Sequence, residues 1–170
     1  MTGHHSLYVF LGCCSLFSVS CLNPFAPKLD TTLATQPCGD LTQVENIFCT
    51  VRNAYSFKDT TLYGSLLATD FIFIYTDYDQ VVERNWGRDD EMHITYRLFQ
   101  NVQSLSLVWN SQLSFSESDT MRTVERGYNL TVTFDPSNVE RVDGVAEFLF
   151  TRPRVGDAWK ILRWQDKSNF

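Results

Sequence analysis

The sequence predicts an α+β domain in which three N-terminal helical segments pack on a strongly curved, mostly antiparallel sheet. Three observations lead there. Apolar residues recur at three- and four-residue intervals from Val44 to Tyr55, and again at Met92, Thr95, Tyr96 and Phe99, which is the helical period. From Leu105 onward the period drops to two: Leu105, Leu107 and Trp109, then Val124, Tyr128, Leu130, Val132 and Phe134. Between the second and third helical segments lies one early β-rich run, Phe71-Ile72-Phe73-Ile74-Tyr75. Helices gathered in one half and long alternating strands in the other read as α+β.

Each element has its own signal. Asp40-Leu41-Thr42-Gln43 has the form of a capping box, opening a helix near Asp40 that ends near Phe57. Its core stripe is Val44, Ile47, Phe48, Val51, Ala54 and Tyr55. Asp59 can cap a shorter second helix carrying Leu62, Tyr63, Leu66 and Leu67, and the chain then turns at Thr69-Asp70. The run Phe71–Tyr75 is apolar on both faces, the pattern of a strand buried on both sides or covering a pocket. Asp77 to Asn85 is polar and reads as a loop, with Asp77-Tyr78-Asp79 solvated within it. The third helix follows Trp86-Gly87-Arg88, and Asp89, Asp90 and Glu91 occupy its first turn, where negative charge suits the helix dipole.

Turns are expected at Asp135-Pro136-Ser137, Asp143-Gly144 and Val155-Gly156-Asp157. Ala146, Phe148 and Phe150 form the inner face of the next strand. On the last strand Lys160, Leu162, Trp164 and Asp166 fall on one face, with Trp159, Ile161 and Arg163 on the other. Trp159 is therefore expected to fill the interior and Trp164 to pack under the tail or a loop. The functional alternative is that one sheet face meets a partner or a second copy.

Of the 170 residues, 44% are hydrophobic, ordinary for a globular protein, and the formal charge of −6 excludes non-specific nucleic-acid binding, which needs a basic face. No second apolar run is long enough to span a bilayer. No C-x-x-C or Cys/His cluster suggests a metal, His93 has no partner for metal or nucleophilic chemistry, and no Gly-rich phosphate cradle is present, so no cofactor is expected. Cys38 and Cys49 are expected as free thiols. A helix beginning near Asp40 would carry Cys49 roughly 13 Å along its axis, beyond the reach of a bridge to Cys38.

The N-terminus is a separate signal. An apolar run from Leu7 to Phe17 leads into Ser18-Val19-Ser20-Cys21. At about eleven residues it is too short to span a membrane. The layout resembles a bacterial lipoprotein export signal, which implies a signal peptide over 1–20 and acylation of Cys21. The next stretch, 21–39, contains Pro24, Pro27 and Pro37 and reads as an extended tether to a domain over 40–170. In this resemblance Leu22 after the cysteine favours the outer membrane, if the host is Gram-negative.

The order of elements resembles the NTF2-like superfamily, the cone-shaped fold of nuclear transport factor 2, SnoaL-type cyclases and ketosteroid isomerases. The residues that carry it are Arg52-Asn53-Ala54-Tyr55, Asp59 through Leu67, Asp70-Phe71, Gly87-Arg88-Asp89-Asp90-Glu91 and Gly156-Asp157-Ala158-Trp159-Lys160-Ile161. The resemblance implies that Tyr55 is a hydrogen-bond donor to an oxyanion, with Asp70 or Asp77 as the nearest carboxylates to a base. Phe71–Tyr75 holds no carboxylate or histidine, so the hollow is expected to lack a reactive acid along its first strand. Ligand-pocket candidates are Tyr55, Phe73, Trp109, Tyr128, Phe148 and Trp159. The sequence thus favours a lipid-anchored, non-catalytic domain of the cell envelope, binding a protein partner or an apolar small ligand. Partner surfaces are the membrane, through the anchor, and a homodimer or envelope protein, through the sheet. The alternative is a small-molecule isomerase, dehydratase or cyclase.

Overall fold

The computed structural model describes residues 37–168; the expected signal peptide, Cys21 and most of the tether lie outside them. The elements are α1 (Val44–Phe57), α2 (Thr60–Leu66), β1 (Leu67–Asp77), β2 (Val82–Gly87), α3 (Arg88–Asn101), β3 (Ser104–Glu117), β4 (Met121–Asp135), β5 (Asn138–Thr151) and β6 (Lys160–Asp166). They form one sheet in the order β2-β1-β6-β5-β4-β3. Only β1 and β6 run parallel; the other neighbours are antiparallel. The architecture is the expected α+β one.

Helix α1 starts later than its sequence suggests. Gln43 is its N-cap and makes no side-chain cap bond. Asp40 instead closes a tight turn, accepting from the Thr42 amide at 3.0 Å, while its carbonyl accepts from the Gln43 amide and Asn46 Nδ2. Gly39, at φ +77°, lets the chain double back there. Cys49 then lies only about one and a half turns into the helix, and it forms a disulfide with Cys38 across a Cα separation of 5.5 Å. The free-thiol expectation is corrected, because it rested on a helix running from Asp40. At the other end Lys58 adopts a left-handed conformation, its amide and that of Asp59 capping the carbonyls of Tyr55 and Ala54. Asp59 caps α2 as expected, accepting from the Leu62 amide at 2.8 Å.

Strand β1 begins at Leu67, so Thr69 and Asp70 are strand residues and not a turn; both are exposed. A register irregularity between Leu67 and Ile72 separates its two halves. Phe71 is fully buried but Ile72 is largely exposed, so this strand is not buried on both faces. The polar stretch after Asp77 is only partly loop. It turns at Tyr78–Val81 and returns as β2, whose residues 82–87 pair with 72–77. Val81 sits at φ +53°, unusual for a β-branched residue.

The core lies between α1 and the inner sheet face. Phe48 makes edge-on contacts with Trp109, Phe148 and Phe150 at 5.1, 5.1 and 5.5 Å. The Arg126 guanidinium lies 4.4 Å over the same ring and bonds Glu45 through both nitrogens at 2.9 Å. On α3 Thr95 and Phe99 face inward as expected, but Tyr96 is half exposed. Asp143-Gly144 is not a turn: β5 runs straight through it, pairing 138–151 with β4. A Cβ at Gly144 would come within 1.9 Å of Ser168 Oγ and 2.7 Å of the Tyr128 ring, so the glycine serves a close approach. On β6 both Ile161 and Trp164 are buried, because Phe150 pairs with Ile161 while Leu149 pairs with Arg163. Leu162 is the extra residue of a bulge that resets the inward face, so Trp164 joins Trp159 inside.

Candidate functional site

Two carboxylate clusters stand out, at different places in the fold. The first is built on α3. Glu91 lies one and two helical steps of four before Thr95 and Phe99, hence on the same inward face. It is buried, with 4% of its surface exposed. Its Oε1 accepts from the Tyr63 hydroxyl at 2.7 Å and from Thr95 Oγ1 at 3.0 Å, and its Oε2 accepts from Trp86 Nε1 at 2.7 Å. These bonds tie α2, β2 and α3 together at one point. Arg88 Nη2 adds a bond to the Gly64 carbonyl at 3.1 Å. Tyr55 reaches the same cluster from α1, its ring 5.7 Å from that of Tyr63. Burial first, then the Glu91 charge, pushes the hydroxyls of Tyr55 and Tyr63 far above the ordinary tyrosine range, so both are neutral. An acidic group therefore does reach the interior, from a helix and not from the first strand.

The second cluster lies where the parallel strands β1 and β6 end side by side. A cleft of about 260 Å³ is lined by Tyr75, Thr76, Asp77, Tyr78, Asp79, Asp166 and Ser168. Asp166 is held on both oxygens. Oδ1 accepts from the Ser168 amide at 3.0 Å and from Ser168 Oγ at 2.5 Å, while Oδ2 accepts from the Tyr128 hydroxyl at 3.2 Å. Burial pushes Tyr128 up to about 12, a rise the bond to Ser168 moderates and the Asp166 charge reinforces. Asp77 accepts from the Gln80 amide at 3.1 Å and pairs with Arg84 at 3.6 Å. The rim is aromatic: Tyr75 packs at 5.3 Å from Trp86, which stacks on Phe73 at 4.4 Å.

The structure separates the sequence-derived candidates. Tyr55 belongs to the buried Glu91 cluster, and Asp77 lines the strand-end cleft. Asp70 is in neither. It lines another cleft, of about 330 Å³, with Leu67, Arg152, Pro153 and Lys160. Among the pocket candidates, Trp109 and Phe148 pack ring on ring with each other and with Trp164, and Trp109 Nε1 donates to the Phe48 carbonyl at 2.8 Å. Trp159 is buried under the Arg152 guanidinium at 4.1 Å. Phe73 belongs to the aromatic rim, and Tyr128 bridges core and cleft. His93 is exposed, and among the described residues no three metal-ligating side chains converge. Glu91, Asp166 and Ser168 were not singled out as site residues from sequence; for Glu91 the available signal was its spacing from Thr95 and Phe99.

No protein-family model matches the sequence, and no curated protein matches it. Solved structures do match in shape. A protein from Streptomyces avermitilis, provisionally assigned as a dehydratase from the NTF2-like family, aligns with a TM-score of 0.62 at 15% identity, over 76% of this chain and 96% of that one. A protein from Novosphingobium aromaticivorans, provisionally assigned as a scytalone dehydratase, aligns with a TM-score of 0.63 at 12% identity, over 75% and 82%. A conserved protein from Planctomyces limnophilus aligns with a TM-score of 0.62 at 16% identity, over 72% and 90%. At these identities the likeness is one of fold. With three helices against a six-stranded, mostly antiparallel sheet, the described part of the chain has the NTF2-like fold.

Proposed function

We propose that the chain is a non-catalytic binding domain of the cell envelope, held to a membrane through an acylated Cys21, with the strand-end cleft as its ligand site. The observation that carries the non-catalytic reading is Glu91. A general base must come within hydrogen-bond reach of the substrate, and this carboxylate is almost wholly buried, enclosed by the three side chains that donate to it. The interlocked rings of Phe48, Trp109, Phe148 and Trp164 support the same reading of the interior as core. The anchor rests on the Leu7–Cys21 layout, and the spacing from Cys21 to the disulfide at Cys38 leaves a proline-containing stretch between anchor and domain. Mass analysis of the mature N-terminus tests the anchor: acyl chains on Cys21 are expected, and an unmodified or uncleaved N-terminus refutes it. Native mass spectrometry of the same sample tests for a retained small ligand or a dimer.

A second reading, a dehydratase or isomerase, is favoured by one observation: a buried carboxylate bonded to Tyr63 beside Tyr55 inside an NTF2-like domain. Glu91→Gln distinguishes the two. Ligand binding that persists in a folded variant fits the binding domain, whereas turnover of a small molecule by the unmodified chain that Glu91→Gln abolishes would establish the enzyme.

A further inference from the structure

We propose that the Cys38–Cys49 bridge is a site of thiol–disulfide exchange, opened within the folded domain by a dithiol reductant that attacks Cys38 and expels Cys49. Both cysteines are partly exposed, one just before the turn at Asp40 and the other on α1. The α1 residues that hold the helix to the sheet, Val44, Ile47, Phe48 and Val51, are buried, and Cys49 is not among them. The turn also keeps ties of its own. Asn46 Nδ2 donates to the Asp40 carbonyl at 2.7 Å, and the Trp159 amide to the Leu41 carbonyl at 2.9 Å. The sulfurs can therefore part without the helix or the turn leaving its place.

The two sulfurs have unlike surroundings. Arg52 lies one helical turn after Cys49, and its Nη2 comes within 3.5 Å of the Cys49 sulfur. Glu45, one turn before Cys49, is neutralised by Arg126, which bonds both its oxygens at 2.9 Å. Cys38 instead meets a neutral donor, Asn53 Nδ2 at 3.0 Å, and stands two residues before the Asp40 carboxylate. A neighbouring guanidinium stabilises a thiolate, and in exchange the sulfur whose thiol is more acidic leaves faster. That gives the bridge a direction.

The incoming thiolate bonds to the Cys38 sulfur as the Cys38–Cys49 bond breaks, and the electron pair of that bond stays on Cys49, facing Arg52. The second thiol of the reductant, its proton lost to solvent, then attacks the reductant sulfur of the mixed disulfide and releases Cys38 as a thiolate. Two electrons pass to the protein, the reductant departs as a disulfide, and the protons that its thiols shed balance those the cysteines take up.

The test uses glutathione, whose single thiol halts the reaction at the mixed disulfide. The full chain, its free thiols first blocked with iodoacetamide, is treated without denaturant and quenched with N-ethylmaleimide. Fragment-ion mass spectrometry then reads each cysteine. Glutathione on Cys38 with maleimide on Cys49 is expected to exceed the reverse about threefold or more. Arg52→Gln is expected to slow opening severalfold and erase the preference, with the melting temperature of the oxidised chain unchanged; Arg52→Lys should restore both. Glutathione mainly on Cys49, an even split, or a bridge that opens only in denaturant would overturn the proposal. So would an Arg52→Gln chain that opens at the unmodified rate and in the same direction.

Discussion

Glu91 and Asp166 are both carboxylates that accept from a tyrosine hydroxyl, Tyr63 and Tyr128 respectively, yet they sit in opposite circumstances. Glu91 is enclosed by three elements and its donors come from three of them. Asp166 stands at a strand end, on the lining of an open cleft, and its donors are Tyr128 on β4, two strands away, and Ser168, two residues on. The difference teaches that hydrogen bonding alone does not mark a working acid. The same bond stabilises a joint where no space adjoins it and holds a carboxylate beside open volume where space does. Each carboxylate accepts three donors; what separates the two is the volume beside Asp166.

The comparison can be broken first at Glu91. Glu91→Ala orphans three donors at about 1–3 kcal/mol each, so a loss of about 4 kcal/mol in unfolding free energy is expected by denaturant titration. A folded variant of undiminished stability would show that Glu91 is no joint. Gly144→Ala strikes the other region. The added Cβ meets Ser168 and the Tyr128 ring, and a cost of about 2 kcal/mol is expected from overpacking. Here binding should fall along with stability, because the displaced groups are those that orient Asp166. Tyr63→Phe removes one bond to a charged acceptor, for about 2 kcal/mol.

Alkaline titration sharpens the contrast further. Tyr55, Tyr63 and Tyr128 all have hydroxyls raised in the folded state, mainly by burial. A raised folded value contributes stability that is complete below the unfolded value and is lost as pH climbs past it. Stability should therefore hold to about pH 10 and decline above it, with the Tyr128 share lost between 10.0 and about 12. In Tyr128→Phe the circular-dichroism melting temperature should fall less steeply over that interval; an unchanged slope would show Tyr128 ionises as freely folded as unfolded. Smallest in stability is Asp79→Asn, within about 0.5 kcal/mol as for most exposed positions.

The fold was largely legible because its signals are periodic. The stripes Val44–Tyr55 and Leu105–Trp109 appear in the structure as inward faces, and the Asp59 cap lies where its chemistry put it. What escaped was set by partners distant in sequence. Strand β2 is exposed along most of its length, so it lacks the alternation that betrays a half-buried strand. Gly144 reads locally as a turn, and only the approach of Ser168 and Tyr128 explains it inside a strand. The bulge at Leu162 reverses which residues face inward, something no strict period of two anticipates. The candidate site was the less legible part. Asp77 was named beside its cleft, but Asp166 and Ser168 enter it only because β6 runs parallel to β1.

The Cys38–Cys49 bridge has a mechanical consequence. Tension applied to the chain upstream of Cys38 passes through sulfur into the side of α1, and residues 39–48 are shunted out of the load path. The turn at Asp40 and the amide of Trp159 bonded to the Leu41 carbonyl are thereby shielded from peeling. A pull from that direction must shear a whole helix off the sheet at once, a far stiffer mode than unzipping a loop bond by bond.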